Sequence, residues 1–284
     1  MISDWFLEPL QFSFMTRALI GTSLIALLSA FIGTFVVLKG LAFISDAIAH
    51  TAFSGMAVAL LLGWNLNLGA LLLGIFTAVG VTFLNRTAKL RNDTALAILF
   101  TGAFALGIIL MATMPNFAGD LSSLLLGSVL SIRVQELYWI IAAFIGVGIM
   151  LKVTFHHLVF VAFDPVGAEA AGIPVVWLQT LLMIMISIAV VVSIQAVGVV
   201  LVMALLITPA ATAALFTRNI LKMMGLAASL GLFASWIGMY IAYYVAAPPG
   251  ATIVVVATLQ FALGLVISYL RQQQPLNTEG RRSS

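Results

Sequence analysis

Residues 175–195 of the chain read VVWLQTLLMIMISIAVVVSIQ, a run without a charged side chain. A helix needs about 20 such residues to cross the hydrocarbon core of a bilayer. The whole sequence has the same character, because 63% of its 284 residues are hydrophobic and only 7% are charged. An ordinary soluble domain has about 25% charged residues, and it could not hide this much apolar side chain from water. The composition therefore predicts an all-α integral membrane protein and excludes a soluble enzyme and a nucleic-acid-binding protein.

Hydrophobic runs of similar length recur along the chain and predict about nine transmembrane helices, with eight to ten allowed by the length. They lie at about 17–39, 42–63, 66–84, 94–114, 136–155, 175–195, 196–210, 225–245 and 251–270. The run at 196–210 is short and is interpreted as a half-span that turns at Pro209. Residues 120–131 are too few to cross and predict a short re-entrant helix. Residues 1–271 are assigned to one membrane domain and 272–284 to a flexible cytoplasmic tail.

The basic residues predict the orientation of these helices. With nine crossings and the N-terminus outside, the cytoplasmic side receives ten of the 12 Lys and Arg residues. Only Arg17 and Arg133 fall outside. Cytoplasmic loops of membrane proteins carry an excess of Lys and Arg, so we predict an external N-terminus and a cytoplasmic C-terminus. The cytoplasmic set comprises Lys39, Arg86, Lys89, Arg91, Lys152, Arg218, Lys222, Arg271, Arg281 and Arg282.

The chain lacks the motifs of several enzyme classes. It has no cysteine, which excludes disulfides and thiolate metal ligands. It also contains no G-x-x-x-x-G-K-[ST], H-E-x-x-H or G-x-S-x-G motif, so it is not expected to bind ATP through a P-loop or to act as a zinc protease or serine hydrolase. A membrane domain without its own energy source predicts a subunit whose energy comes from a partner.

Asp46 and His50 are the ionisable pair inside the second hydrophobic run. Their spacing places both side chains on one face of a helix, one turn apart. An ionisable residue within a span costs about 2.5–3.5 kcal/mol on insertion scales and so usually faces a cavity, a partner or a pathway. A carboxylate and an imidazole suit a first-row divalent metal. They could equally pair with each other and stabilise the bundle, and the residues alone leave both alternatives open.

Four further polar residues have structural as well as functional interpretations. Asp120 opens the short helix, where the spacing favours an N-cap role first and metal ligation second. His156 and His157 are typical of a membrane interface. Gln195 could line a pathway or bond to a neighbouring helix.

Several stretches in the same order resemble the permease subunits of bacterial ATP-binding-cassette importers for manganese, zinc or iron(II). The resemblance covers nearly the whole chain. It is carried by Ser45-Asp-Ala-Ile-Ala-His50, Asp120-Leu-Ser-Ser-Leu-Leu-Leu-Gly127, Phe163-Asp164-Pro165 with Ala171-Gly172-Ile173-Pro174, and Val197-Gly-Val-Val-Leu-Val-Met-Ala-Leu-Leu-Ile-Thr-Pro-Ala-Ala-Thr-Ala213.

The resemblance implies a site and a set of partners. Asp46, His50 and Asp120 would bind the transported divalent ion, which is cargo, and no permanently bound cofactor is expected. The permease would form a homodimer, receive metal from an extracytoplasmic metal-binding protein and dock a cytoplasmic ATP-binding-cassette ATPase. Manganese is favoured by the hard ligand set, with zinc or iron(II) as alternatives. Protonation of His50 at acid pH would weaken binding, because only the neutral ring ligates.

Two departures from the family pattern concern geometry rather than ligands. Ala49-His50-Thr51-Ala52-Phe53-Ser54-Gly55 lacks the proline of the common Ser-His-x-x-x-Pro-Gly form, so a local distortion of the helix is expected to be absent. Leu125-Leu126-Gly127 replaces the usual Leu-Phe-Gly type.

ATPase coupling is predicted at two cytoplasmic segments. Pro209 is expected to begin a turn that continues as a short coupling helix from Ala210 to Lys222, with Arg218 on it. The second segment runs from Asp164 to Gly172 and includes Glu169. The alternative for both is a solvated loop.

Two other functions fit parts of the sequence. A proton-coupled secondary metal transporter could use the Asp46–His50 pair as an exchange site. It often carries inverted repeats, which the sequence does not show. An intramembrane hydrolase with Asp46 and Asp120 as a carboxylate pair would lack a recognisable nucleophile.

Overall fold

The structure is a computed structural model that describes residues 7–88, 90, 92–113 and 127–272. The described residues form helices and connecting segments without a β-strand. Ten α-helices follow one another as α1 (Ser13–Leu38), α2 (Ile44–Leu61), α3 (Leu66–Thr87), α4 (Asn92–Ala112), α5 (Val134–Phe163), α6 (Pro165–Ala170), α7 (Val175–Val197), α8 (Val199–Ala214), α9 (Ile220–Val245) and α10 (Pro249–Gln272). Short 3₁₀ turns lie at Pro9–Gln11 and Val129–Ser131.

Eight of the described helices are long and apolar enough to span a bilayer, and the 16-residue α8 is a shorter apolar helix. The prediction of about nine membrane helices is therefore confirmed. The fifth predicted run ended at 155, whereas α5 continues to Phe163. Most of residues 120–131 and all of 273–284 lie outside the described residues, as do Lys89 and Arg91.

Helix α8 crosses most of the bundle beside α10, in the same direction. Near the start of both helices, Gly250 of α10 lies against Leu201, and near their ends Gly264 lies against Thr212 and Phe216. Contacts in the same order along two helices mean that the helices are parallel. The interpretation of this region as a half-span that turns at Pro209 is wrong, because the helix continues through the proline to Ala214.

A single residue, Gly198, separates α7 from α8. Its φ of 85° and ψ of 165° belong to a region that L side chains rarely adopt, which is why glycine stands here. On one side of this break α7 packs mainly against α3 and α5, and on the other α8 packs against α1, α9 and α10. Gly198 therefore connects the part of the bundle formed with α3 and α5 to the part formed with α1, α9 and α10.

Bare glycine backbone brings helices close together at two crossings. A Cβ on Gly55 of α2 would collide with the carbonyl oxygen of Gly69 in α3. A Cβ on Gly33 of α1 would collide with the carbonyl oxygen of Leu206 in α8. Small residues at helix crossings are common in membranes, where association depends on close van der Waals packing.

The described cations divide unequally between the two ends of the bundle. Short connections reverse the chain between α1 and α2, α2 and α3, α3 and α4, α8 and α9, and α9 and α10. One end, here called the basic face, consequently carries Lys39, Arg86, Arg218, Lys222 and Arg271. The opposite face carries Arg17 and Arg133, and Lys152 lies within α5.

The predicted coupling helix from Ala210 to Lys222 is wrong as a single element. Helix α8 ends at Ala214, and α9 begins at Ile220. Asn219 makes the break, because its side chain accepts a hydrogen bond of 3.1 Å from the backbone N–H of Lys222 and so caps α9. A proline such as Pro209 predicts a helix end, but membrane helices tolerate proline where neighbouring helices pack around it.

Candidate metal-transport site

Asp46 and His50 lie on the first two turns of α2, near the basic face. The Nε2 atom of His50 is 3.4 Å from the Oδ1 atom of Asp46. Neither side chain is sealed off, since His50 is 22% exposed and Asp46 is 35% exposed. Helix α2 runs without a break from Ile44 to Leu61. The spacing of four residues thus produces the predicted pair on one face.

The His50 ring is held between two aromatic side chains of α4. The ring centroids of Phe100 and Phe104 lie 5.0 and 4.8 Å from that of His50. The Nδ1 atom of His50 is buried and has no hydrogen-bond partner in the part of the chain that the structure describes. Only Nε2 is therefore placed to interact, and it faces the carboxylate. The sequence analysis missed these phenylalanines, although their i, i+4 spacing places them on one face of α4.

The separation of the two donor atoms is compatible with a shared divalent ion. Ligand atoms about 2.1 Å from a metal at tetrahedral or octahedral angles lie about 3.0–3.5 Å apart. The observed 3.4 Å falls within that interval. It is also long for a hydrogen bond, whose usual N···O distance is about 2.7–3.2 Å.

The remaining predicted site residues are not assembled around this pair. Within residues 7–88, 90, 92–113 and 127–272, no group of three or more His, Cys, Asp or Glu side chains is placed to hold a metal. Asp120 lies outside the described residues. Gln195 is half-buried near the end of α7 at the opposite face. His156 and His157 are exposed on α5.

The predicted coupling residues, apart from buried Pro209, lie at the basic face. Asp164 caps the short helix α6, because its Oδ1 atom accepts a 2.8 Å hydrogen bond from the backbone N–H of Gly167. Glu169 is exposed on the same helix. Arg218 is exposed in the connection before α9, and Lys222 is exposed on the first turn of α9.

The sequence profile of the ABC 3 transport family matches residues 11–268. The chain belongs to this family. The resemblance noted from the motifs is thereby confirmed, and with eight apolar spans among its described residues the chain is a multi-pass permease of the bacterial inner membrane.

Similar proteins align along nearly the whole chain. It is 38% identical over 264 residues to the manganese transport system membrane protein MntC of Listeria monocytogenes, covering 93% of this chain and 94% of that protein. It is 36% identical over 270 residues to a probable iron transport system membrane protein of Haemophilus influenzae, covering 94% of this chain and 98% of that protein.

A solved structure has the same fold. PsaBC from Streptococcus pneumoniae in complex with Fab aligns with a TM-score of 0.83 and 30% sequence identity, covering 96% of this chain and 100% of that one. The all-helical membrane architecture is therefore shared along the whole length of the matched chain.

Proposed function

We propose that the chain is the permease subunit of an ATP-driven importer that moves a divalent transition-metal ion into the cytoplasm, with manganese preferred. The names of the relatives support a metal as cargo, since one is a manganese transport protein and another a probable iron transport protein. A carboxylate and an imidazole without a thiolate suit manganese, and they also bind zinc or iron(II).

The Asp46–His50 pair is the observation that carries this proposal. It places an oxygen and a nitrogen donor 3.4 Å apart on a membrane helix, with the imidazole fixed by Phe100 and Phe104. Burial of Nδ1 leaves Nε2 as the only ring nitrogen able to ligate. Asp120 is proposed as the third ligand, on the family resemblance alone, and Gln195 as a residue lining the pathway towards the opposite face.

The partners are proposed from the family resemblance, and the two faces indicate where each would bind. The excess of cations at the basic face supports a cytoplasmic location for it and an external start of α1. A cytoplasmic ATPase would contact α6, with Asp164 and Glu169, and the exposed Arg218 and Lys222 around the start of α9. A second copy of the permease would complete the transport path, and an extracytoplasmic metal-binding protein would deliver the ion.

Transport by the reconstituted permease–ATPase complex tests the site. Proteoliposomes would be offered manganese, zinc and iron(II) in competition, with ATP hydrolysis followed in the same samples. Asp46→Asn and His50→Gln should each lower uptake at least about tenfold, because even an outer-shell partner of a metal is worth about 10–100-fold. His157→Gln makes the same substitution at an exposed position and should transport like the wild type.

Two results would contradict the proposal in different ways. Normal uptake by both site variants would mean that Asp46 and His50 only stabilise the bundle. Uptake driven by a proton gradient without ATP would instead favour the secondary transporter.

A further inference from the structure

The basic face contains a cavity of about 650 Å³ that has no part in the metal site. It lies where α1 and α3 end and where α4 and α7 begin. Its charged lining residues are Lys39, Arg86 and Asp93, and its polar ones include Thr82, Asn85 and Gln179. Two cations against one carboxylate give the cavity a net positive charge.

Lys39 is half-buried and has no counter-ion among the described residues. Burial alone lowers the pKa of its ammonium group below the usual value, and no carboxylate opposes this effect. Arg86 likewise forms no ion pair with a described carboxylate, and its side chain is exposed. A cation that is partly withdrawn from water is stabilised by a nearby anion, so an anion in the cavity would favour the charged form of Lys39.

The backbone adds to the positive potential. Asp93 on the first turn of α4 and Val176 on the first turn of α7 both line the cavity. The first N–H groups of a helix have no partner within the helix and carry a partial positive charge. Two helix starts and two cationic side chains therefore surround the same space.

The position of the cavity in the membrane indicates the source of the anion. All four contributing helices end or begin here, so the cavity lies at the depth of the lipid headgroups. Apolar side chains form the rest of its wall, namely Leu41, Leu90, Leu182 and Met183. A ligand with a phosphate at one end and an apolar portion at the other matches this lining.

We propose that this cavity binds the phosphate headgroup of an anionic phospholipid from the leaflet at the basic face. Basic pockets between transmembrane helices are suited to such headgroups. The phosphate neutralises Lys39 and Arg86, and the glycerol region covers the leucines. The proposal does not depend on which ion the protein transports.

Native mass spectrometry of the delipidated permease–ATPase complex tests the site directly. Phosphatidylglycerol and phosphatidylcholine would be titrated separately, and the affinity of the most tightly bound lipid determined. Each basic residue near a membrane surface contributes about 1 kcal/mol, which is about fivefold in affinity. Lys39→Gln and Arg86→Gln should therefore each weaken phosphatidylglycerol binding about fivefold and the double variant about 25-fold, with phosphatidylcholine unaffected.

Matched variants separate the cavity from general surface charge. Arg271→Gln removes an exposed cation from the same face and should leave the tightest phosphatidylglycerol site intact. Arg86→Lys retains the charge and should bind close to wild type. Thermal unfolding midpoints within a few degrees of wild type would show that the variants are folded, and variants that miss this criterion would be replaced by Lys39→Met and Arg86→Met.

Three outcomes would overturn the lipid assignment. Equal affinity for the two lipids, or an unchanged affinity in the double variant, would mean that the cavity does not select a phosphate headgroup through these cations. Displacement of the lipid by millimolar inorganic phosphate would assign the site to a free anion. Lipid binding by the permease alone but not by the permease–ATPase complex would assign the cavity to the protein interface.

Discussion

Replacing Gly33 with alanine should destabilise the bundle at the crossing of α1 and α8. A Cβ at this position would overlap the carbonyl oxygen of Leu206 and would lie 3.0 Å from its carbonyl carbon and 3.5 Å from its Cα. These atoms are backbone and cannot rotate away, so the two helices must separate. Overpacking of this kind costs about 1–3 kcal/mol.

The helix propensity of alanine partly offsets this packing cost, because alanine favours a helix over glycine by about 1 kcal/mol. The immobile contact places the packing cost at the upper end of its range, so the net loss should be about 2 kcal/mol. At about 2–4 °C per kcal/mol, the unfolding midpoint should fall by about 4–8 °C. Gly225→Ala in α9 is the matched control, because a Cβ there meets no other atom within 4 Å. It should leave the midpoint unchanged or raise it.

Thermal unfolding of the detergent-purified protein can be followed by the fluorescence of its five tryptophans. The decisive quantity is the difference between the two alanine variants, because both gain the same helix propensity. If Gly33→Ala is as stable as Gly225→Ala, the backbones of α1 and α8 do not meet at Leu206, and the placement of α8 against α1 is wrong.

Three shorter predictions concern the basic face. Arg218→Glu should lower uptake per ATP hydrolysed, because it reverses a charge at the proposed ATPase contact; Arg218→Lys should restore it, and unchanged coupling in the glutamate variant would remove the assignment. Since the chain has no cysteine, an impermeant thiol reagent outside intact cells should label Ser131→Cys and spare Ala171→Cys. The reverse pattern would mean that the basic face is external and the N-terminus cytoplasmic. Burial lowers the pKa of Lys39, so amine modification of Lys39, followed by mass spectrometry of delipidated protein, should rise at lower pH in the folded protein than in the denatured protein. Identical pH profiles would contradict its burial.

The spans were predictable because the bilayer imposes a length on apolar runs. Each run found in the sequence corresponds to a helix, and the predicted and observed bounds differ mainly at the ends. The largest discrepancy is α5, which continues to Phe163. Length and hydropathy indicate which residues can lie in the hydrocarbon core of the bilayer. A helix can nevertheless extend beyond the core wherever its backbone hydrogen bonds remain satisfied.

Pro209 shows where a local rule fails. A proline lacks an N–H and usually interrupts a helix in water. Here it is buried inside α8, where its ring lies near Gly231 of α9. The break occurs later, at residues 215–219, where Asn219 caps the next helix. The capping asparagine, six residues before the hydrophobic run at 225–245, was the more informative signal.

The candidate site was predictable only as far as one helix determines it. The spacing of Asp46 and His50 is a property of α2 alone, and the structure reproduces the expected pair. The aromatic contacts of Phe100 and Phe104 depend on how α4 packs against α2, which no local pattern specifies. The same holds for the cavity, because Lys39 and Arg86 come from different helices.

The central place of α1 has a consequence for biogenesis. It is the first described span to leave the ribosome, yet it packs mainly against α5, α8 and α9, which are synthesised later. Trp236 of α9 donates a 2.9 Å hydrogen bond to the Ser23 hydroxyl, across 213 residues of sequence. At about 5–20 residues per second, translation of that interval takes about 10–40 s.

During this interval α1 must persist in the bilayer without its contacts to α9. Its threonines are suited to that situation, since Thr22 and Thr34 donate 2.8 Å hydrogen bonds to the carbonyls of Ala18 and Ala30 on the same helix. Lipid chains can solvate its apolar face while it waits. Nascent chains that stop before α5 would therefore expose an inserted but unassembled first helix to the quality-control proteases of the membrane.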